Sequence, residues 1–195
     1  MPQITKVVQL DACHTDDGGL LYRAFTADAA KHQVMLLENW DARNEADHPW
    51  LDFFTELKLL YPRMNHSDYT LLSDMQKGIR KAAELLMPDM KRFMCIKHMK
   101  ENVAKAAGIK MVSVYEKAAY ATNENQFSKA MTDATPKLKK YLTEAHTPDT
   151  WSKLHRKGDM GGKMASQVCE VSTPSLKPLL ISTAISLTCC GFSFF

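Results

Sequence analysis

Short apolar runs dominate the chain up to His98, and apolar residues at helical spacing dominate it beyond. Residues 6–13, built around Val7, Val8 and Leu10, predict a strand. Asp16-Asp17-Gly18-Gly19 predicts a turn. Residues 20–27 and 33–40 predict two further strands, so the first three form an antiparallel meander. Pro49 suits the first turn of a helix, with Asp47 or His48 as its cap. Trp50, Phe53, Phe54, Leu57 and Leu60 follow at helical spacing, which predicts core positions rather than a base-stacking platform. Residues 69–73 predict a short buried strand ending at Asp74, residues 78–87 a helix stopped by Pro88, and residues 92–96 one more strand.

From Lys97 the period changes. Val103, Ala106 and Ala107, then Val114, Ala118 and Ala121, then Phe127 and Met131, then Leu138, Tyr141 and Leu142 mark three or four helices. Breaks are expected at Gly108, Asn123 and Pro136. Thr147-Pro148-Asp149 opens a short helix through Trp151 and Leu154, and residues 158–162 read as a turn. The order β-β-β-α-β-α-β, followed by helices, predicts an α/β fold with a mixed sheet covered on both faces. That is the strand order of an RNase H-like domain. The expected organisation is a core at 1–98, an all-helical insertion at 99–163, a segment at 164–177 and an apolar tail at 178–195. The tail carries no charge, and 11 of its 18 residues are apolar. Its interspersed Ser, Thr and Gly residues, and the lack of a flanking basic cluster, argue against a membrane anchor.

The net charge of +3 conceals an asymmetry. Residues 1–76 hold 6 basic and 12 acidic side chains, net −6, whereas residues 77–163 hold 18 basic and 9 acidic, net +9. A cation-binding half beside an anion-binding half suits an enzyme that holds metal and nucleic acid together. The five cysteines (Cys13, Cys95, Cys169, Cys189, Cys190) are odd in number and irregularly spaced, and Met1-Pro2-Gln3 leads straight into the first strand. An intracellular, reduced protein is expected.

The acids supply the chemistry. Asp11 and Asp74 each end an apolar run, and two carboxylates leaving the ends of two strands can converge on one divalent metal. Phosphodiester cleavage by in-line attack uses Mg²⁺ or Mn²⁺ to activate the nucleophile and to stabilise the leaving oxygen. Magnesium favours a few carboxylates and phosphate oxygens. The competing reading of either aspartate is a turn former or helix cap. Lys77, Arg80, Lys81, Lys91, Arg92, Lys97, Lys100 and Lys105 follow Asp74 and suit phosphate neutralisation without sequence readout.

Leu10-Asp11-Ala12-Cys13-His14 is similar to the strand-end motif of Mutator-like (MULE) transposases that carries their first catalytic aspartate. Ser73-Asp74-Met75-Gln76-Lys77-Gly78 resembles the family's second-aspartate motif, usually Ser-Asp-Arg-Gln-Lys-Gly. Residues 19–27, Leu37-Glu38-Asn39 and Trp50-Leu51-Asp52-Phe53-Phe54 resemble its next strands and first helix. Cys95-Ile96-Lys97-His98 matches its Cys-x-x-His signature, Asn102 sits where the family tends to have asparagine, and residues 119–131 resemble its following helical segment. The resemblance spans about residues 7–177.

It implies an RNase H-like DDE domain with a helical insertion before the last acid, and Mg²⁺ or Mn²⁺ held by Asp11, Asp74 and a third acid. Ser166-Gln167-Val168-Cys169-Glu170 makes Glu170 the candidate. Gln167, Thr173 and Pro174 depart from the family's Thr/Ser-Asn-x-x-Glu-x-x-Asn pattern, which sets a competent transposase core against an inactive, transposase-derived DNA-binding or interaction protein. The chain is expected to be a truncated member. Element-end and target DNA are the implied partners, with a possible homo-oligomer, and the nucleus is the implied location. His98, Lys77, Arg80, Lys81, Lys97 and Lys100 are the expected DNA contacts. Zinc at Cys95 and His98 would need two further ligands, for which Cys13 and His14 are candidates, and is not expected.

Overall fold

A computed structural model describes residues 5–28, 30, 32–41, 47–74 and 76–156. Their order is β1 (Val7–His14), β2 (Leu20–Ala27), β3 (Gln33–Asp41), α1 (Asp47–Leu60), β4 (Thr70–Ser73), α2 (Lys77–Leu86), β5 (Lys91–Met94), α3 (Ile96–Ala107), α4 (Lys110–Ala119), α5 (Glu124–Thr132) and α6 (Pro136–Lys140). The five strands form one mixed sheet in the order β3-β2-β1-β4-β5. β1–β2 and β2–β3 pair antiparallel, whereas β1–β4 and β4–β5 pair parallel. The expected α/β architecture is thus present. No helix among the described residues is long and apolar enough to cross a membrane.

Strand alternation sorts the side chains onto two faces. Val8 and Leu10 of β1, Leu20, Tyr22 and Ala24 of β2 and Leu71 of β4 face α1 and α2. There Tyr22 meets Trp50 edge-on at 4.7 Å, and Trp50 meets Phe53 at 5.8 Å. Trp50, Phe53 and Phe54 are each at most 1% exposed, so they are core, as the helical spacing predicts. On the opposite face, Val7, Leu72 and Phe93 pack with Met99, Val103, Tyr115, Leu138, Leu142 and Trp151 of the helical segment. That cover lies over β1, β4 and β5. On β2 and β3 the same face presents Leu21, Arg23, Glu38 and Trp40, of which Glu38 and Trp40 are exposed.

Local signals set the helix ends. Gly108 closes α3 at φ +97°, a conformation that side-chain-bearing residues rarely adopt. Asn123 caps α5 by accepting from Gln126 N at 3.0 Å. Thr135 caps α6, with Pro136 in its first turn. The chain departs from the sequence pattern at 92–96. The strand ends at Met94, Cys95 takes the cap position and Ile96 opens α3. The helix expected from Thr147 onward is a single 3₁₀ turn, Pro148–Thr150.

Candidate active site

Parallel register aligns the two aspartates. β1 and β4 pair Val7 with Thr70, Val8 with Leu71 and Gln9 with Leu72. The pairing ends there and β4 ends at Ser73; carried two residues further, the same register sets Asp11 opposite Asp74, the first residue past β4. Asp11 points to the α3 face by strand alternation, and both carboxylates lie near enough to His98 of α3 for their charges to raise its pKa. Neither acid is idle within its own segment. Asp11 Oδ1 accepts from Ala12 N at 3.0 Å. Asp74 Oδ1 accepts from Gln76 N at 3.0 Å, forming the turn into α2. Gln76 is the cap residue of α2 and makes no side-chain cap bond, so Asp74 is a turn former two residues before the cap.

Cations flank the pair. β1 and β2 pair Asp11 with Arg23, and β2 and β3 pair Arg23 with Glu38. Arg23 Nε donates to Glu38 Oε2 at 2.6 Å. On the other side, β4 and β5 pair Ser73 with Met94, and Cys95 N donates to Ser73 O at 2.7 Å. Cys95 therefore sits beside Asp74 and is buried, 1% exposed, as expected of a core thiol. His98 lies one turn along α3. Its imidazole is pushed up to about 9, first by its hydrogen bond to Cys95 and further by the charges of Cys95, Asp74 and Asp11, against the opposing effect of burial. The row across the sheet reads Glu38, Arg23, Asp11, Asp74, with His98 above its far end.

The remaining expected residues divide. Lys77 is the first residue of α2 and is exposed; Arg80 and Lys81 lie on the exposed side of the same helix, opposite buried Ile79, Ala82 and Ala83. Lys97 is exposed in the first turn of α3. Lys100 is not free for phosphate, because its Nζ lies 2.6 Å from Glu116 Oε1 on α4. Arg92 pairs with Glu84 at 3.2 Å. Glu170 lies outside the described residues.

His146, which the sequence pattern did not single out, joins the surroundings. Arg80 lies close enough to His146 to hold its imidazole down, after the larger effect of burial. His146 packs edge-on against Tyr141 at 5.3 Å. Asn102 hydrogen-bonds the Tyr141 hydroxyl, whose burial raises its pKa. Cys13 and His14 are consecutive on β1 and so point to opposite faces; they do not both turn toward Cys95 and His98. Among the described residues no three His, Cys, Asp or Glu side chains converge as a ligand set.

Asp11 and Asp74 alone fit what magnesium takes from a protein, one or two carboxylates with substrate oxygens completing the shell. The N-termini of α2 and α3 both start at this end of the parallel strands, so their dipoles favour anions there.

His98 carries a pH prediction. Its folded pKa is raised above the ordinary value of 6.5, so the stability it contributes is full below about 6.5 and is lost as pH rises through about 9. In metal-free buffer, the urea midpoint should fall across that window, and the fall should be smaller in His98→Gln. An equal slope in both proteins would remove His98 as the titrating group.

Compared with known proteins, the chain matches no protein-family model and no curated protein.

Proposed function

We propose that this chain is an RNase H-like catalytic core of the Mutator-like transposase kind, which nicks DNA and transfers strands by metal-assisted phosphodiester chemistry. The observation that carries this reading is that Asp11 of β1 and Asp74, just past the end of the adjacent parallel strand β4, both lie close enough to His98 to act on its charge. The strand order β3-β2-β1-β4-β5, antiparallel on one side of β1 and parallel on the other, supports it, because that is the RNase H-like order. The exposed cations on α2 and α3 support it further.

Asp11 and Asp74 would hold the metal, with Glu170 the candidate third acid. Magnesium or manganese held there would lower the pKa of the attacking water or 3′-hydroxyl and offset charge on the leaving oxygen. The protein's own part is positional. The β1–β4 register sets Asp11 opposite Asp74. Lys77, Arg80, Lys81 and Lys97 hold phosphates, aided by two helix N-termini. His98, cationic at neutral pH, offsets the charge of the paired carboxylates before DNA arrives. Element-end and target DNA are the substrates, and the family resemblance implies a nuclear location.

The test is nicking and strand transfer with Mg²⁺ or Mn²⁺, using the purified chain beside Asp11→Asn. Metal-dependent cleavage that the substitution removes is the expected result. DNA binding without cleavage by the folded chain would overturn the catalytic reading and leave a DNA-binding derivative.

A further inference from the structure

Three tryptophans are present, and their exposure separates them. Trp50 and Trp151 are each 1% exposed, whereas Trp40 is 53% exposed. Trp40 follows Glu38 by two residues on β3, so it stands on the same sheet face as Glu38, Arg23 and Asp11. Its Nε1 donates to Thr15 Oγ1 at 3.3 Å, and Thr15 Oγ1 donates in turn to Asp17 Oδ1. The ring also rests on Gly19: a Cβ there would lie 2.4 Å from Trp40 Nε1 and 2.6 Å from Cε2. A glycine and a hydroxyl from the β1–β2 turn thus fix the indole in place while much of its surface stays in solvent. A large apolar ring held in a set position without burial is poorly explained by core packing.

We infer that Trp40 is a stacking platform for an unpaired nucleobase of the DNA handled by the Asp11–Asp74 site, an inference that rests on the function proposed above. The geometry suits that occupant. Trp40 lies two strands and two residues from Asp11, about 12 Å by ordinary sheet spacings. That is three to four nucleotide steps at about 3.4 Å per step along a strand. The charge around the ring selects a base over a phosphate. Glu38 stands two residues before Trp40 on the same face, and Asp17 reaches its indole N–H. These carboxylates repel phosphate but leave a neutral, planar ring free to stack. Arg23, on the same face, is paired with Glu38, and the other cations of the proposed DNA path sit on α2 and α3. The division matches what a single strand offers: phosphates for the helices and a base for the sheet.

The experiment uses the full chain, titrated in metal-free buffer with fluorescein-labelled single-stranded DNA and, separately, with fully paired duplex. Anisotropy reports binding, and tryptophan emission, excited separately, reports Trp40, because the other two tryptophans are buried. Single-stranded DNA is expected to quench the emission. Trp40→Ala should weaken single-strand binding by about tenfold, the usual range for losing one stacked base. It should leave duplex affinity unchanged, which also shows that the variant is folded. Trp40→Phe should keep most of the single-strand affinity. Binding by anisotropy without quenching, or an equal loss for both DNA forms in Trp40→Ala, would overturn the stacking role and leave the proposed function standing. No binding of either DNA would overturn both.

Discussion

Asp74→Asn is expected to abolish metal-dependent nicking while leaving DNA affinity unchanged or higher. Asp74, just past the end of β4, is one of two carboxylates that act on His98 at this end of the parallel strands. The amide is nearly isosteric, and its carbonyl oxygen still accepts the hydrogen bond from Gln76 N that forms the turn into α2. The fold at this point is therefore preserved, and what is lost is the charge. A metal contributes several kcal/mol of transition-state stabilisation, and each ~1.4 kcal/mol is tenfold in rate. A loss of about a thousandfold or more follows from those magnitudes. Removing a negative charge beside the phosphate path relieves repulsion, hence the retained or improved affinity. Gel-based nicking and anisotropy on the same preparations read the two effects separately. Unchanged cleavage would remove Asp74 from the mechanism.

Trp50→Ala should produce the largest loss of stability. Trp50 is 1% exposed and stands at the centre of the α1 contact with the sheet, edge-on to Tyr22 at 4.7 Å and to Phe53 at 5.8 Å. Truncation removes its apolar burial and leaves a cavity that two aromatic neighbours and a strand fill poorly. Trp→Ala at such sites costs about 3–5 kcal/mol, much of the stability of an ordinary domain. Its Nε1 is buried without a hydrogen-bond partner, so Trp50→Phe should cost less than the alanine change. Urea denaturation followed by circular dichroism measures both. A loss below about 1 kcal/mol in the alanine variant would mean that α1 is not anchored through this ring.

Much of the architecture was legible because apolar period and punctuation agree. Gln33 to Trp40 alternates around a buried centre, Pro88 follows α2, and Gly108, Asn123 and Pro136 each fall at a helix boundary. The 92–96 segment misled because Phe93-Met94-Cys95-Ile96 is a continuous apolar run with no turn residue. The switch from strand to helix there rests on the backbone of Cys95, extended at φ −60° and ψ 121°.

In the site, both aspartates could be found as acids ending apolar runs. Their alignment could not, since it depends on which residues of β1 and β4 pair. Arg23 is one of six basic residues in an acidic half, and only the hairpin register brings it opposite Asp11. Lys100 counts as a free cation in sequence, and its partner Glu116 becomes visible only when α3 and α4 pack. Helical spacing marks Trp50 as core, whereas nothing in the sequence around Trp40 signals its exposure.

The central claim, that Asp11 and Asp74 form one metal site, is tested most directly by Mn²⁺ binding. Electron paramagnetic resonance of free Mn²⁺, titrated with the chain, with Asp11→Asn, with Asp74→Asn and with the double substitution, counts bound ions without requiring catalysis. A shared site predicts binding by the native chain, the same loss in each single variant, and no further loss in the double. Binding that survives in both single variants would contradict a site made from these two carboxylates.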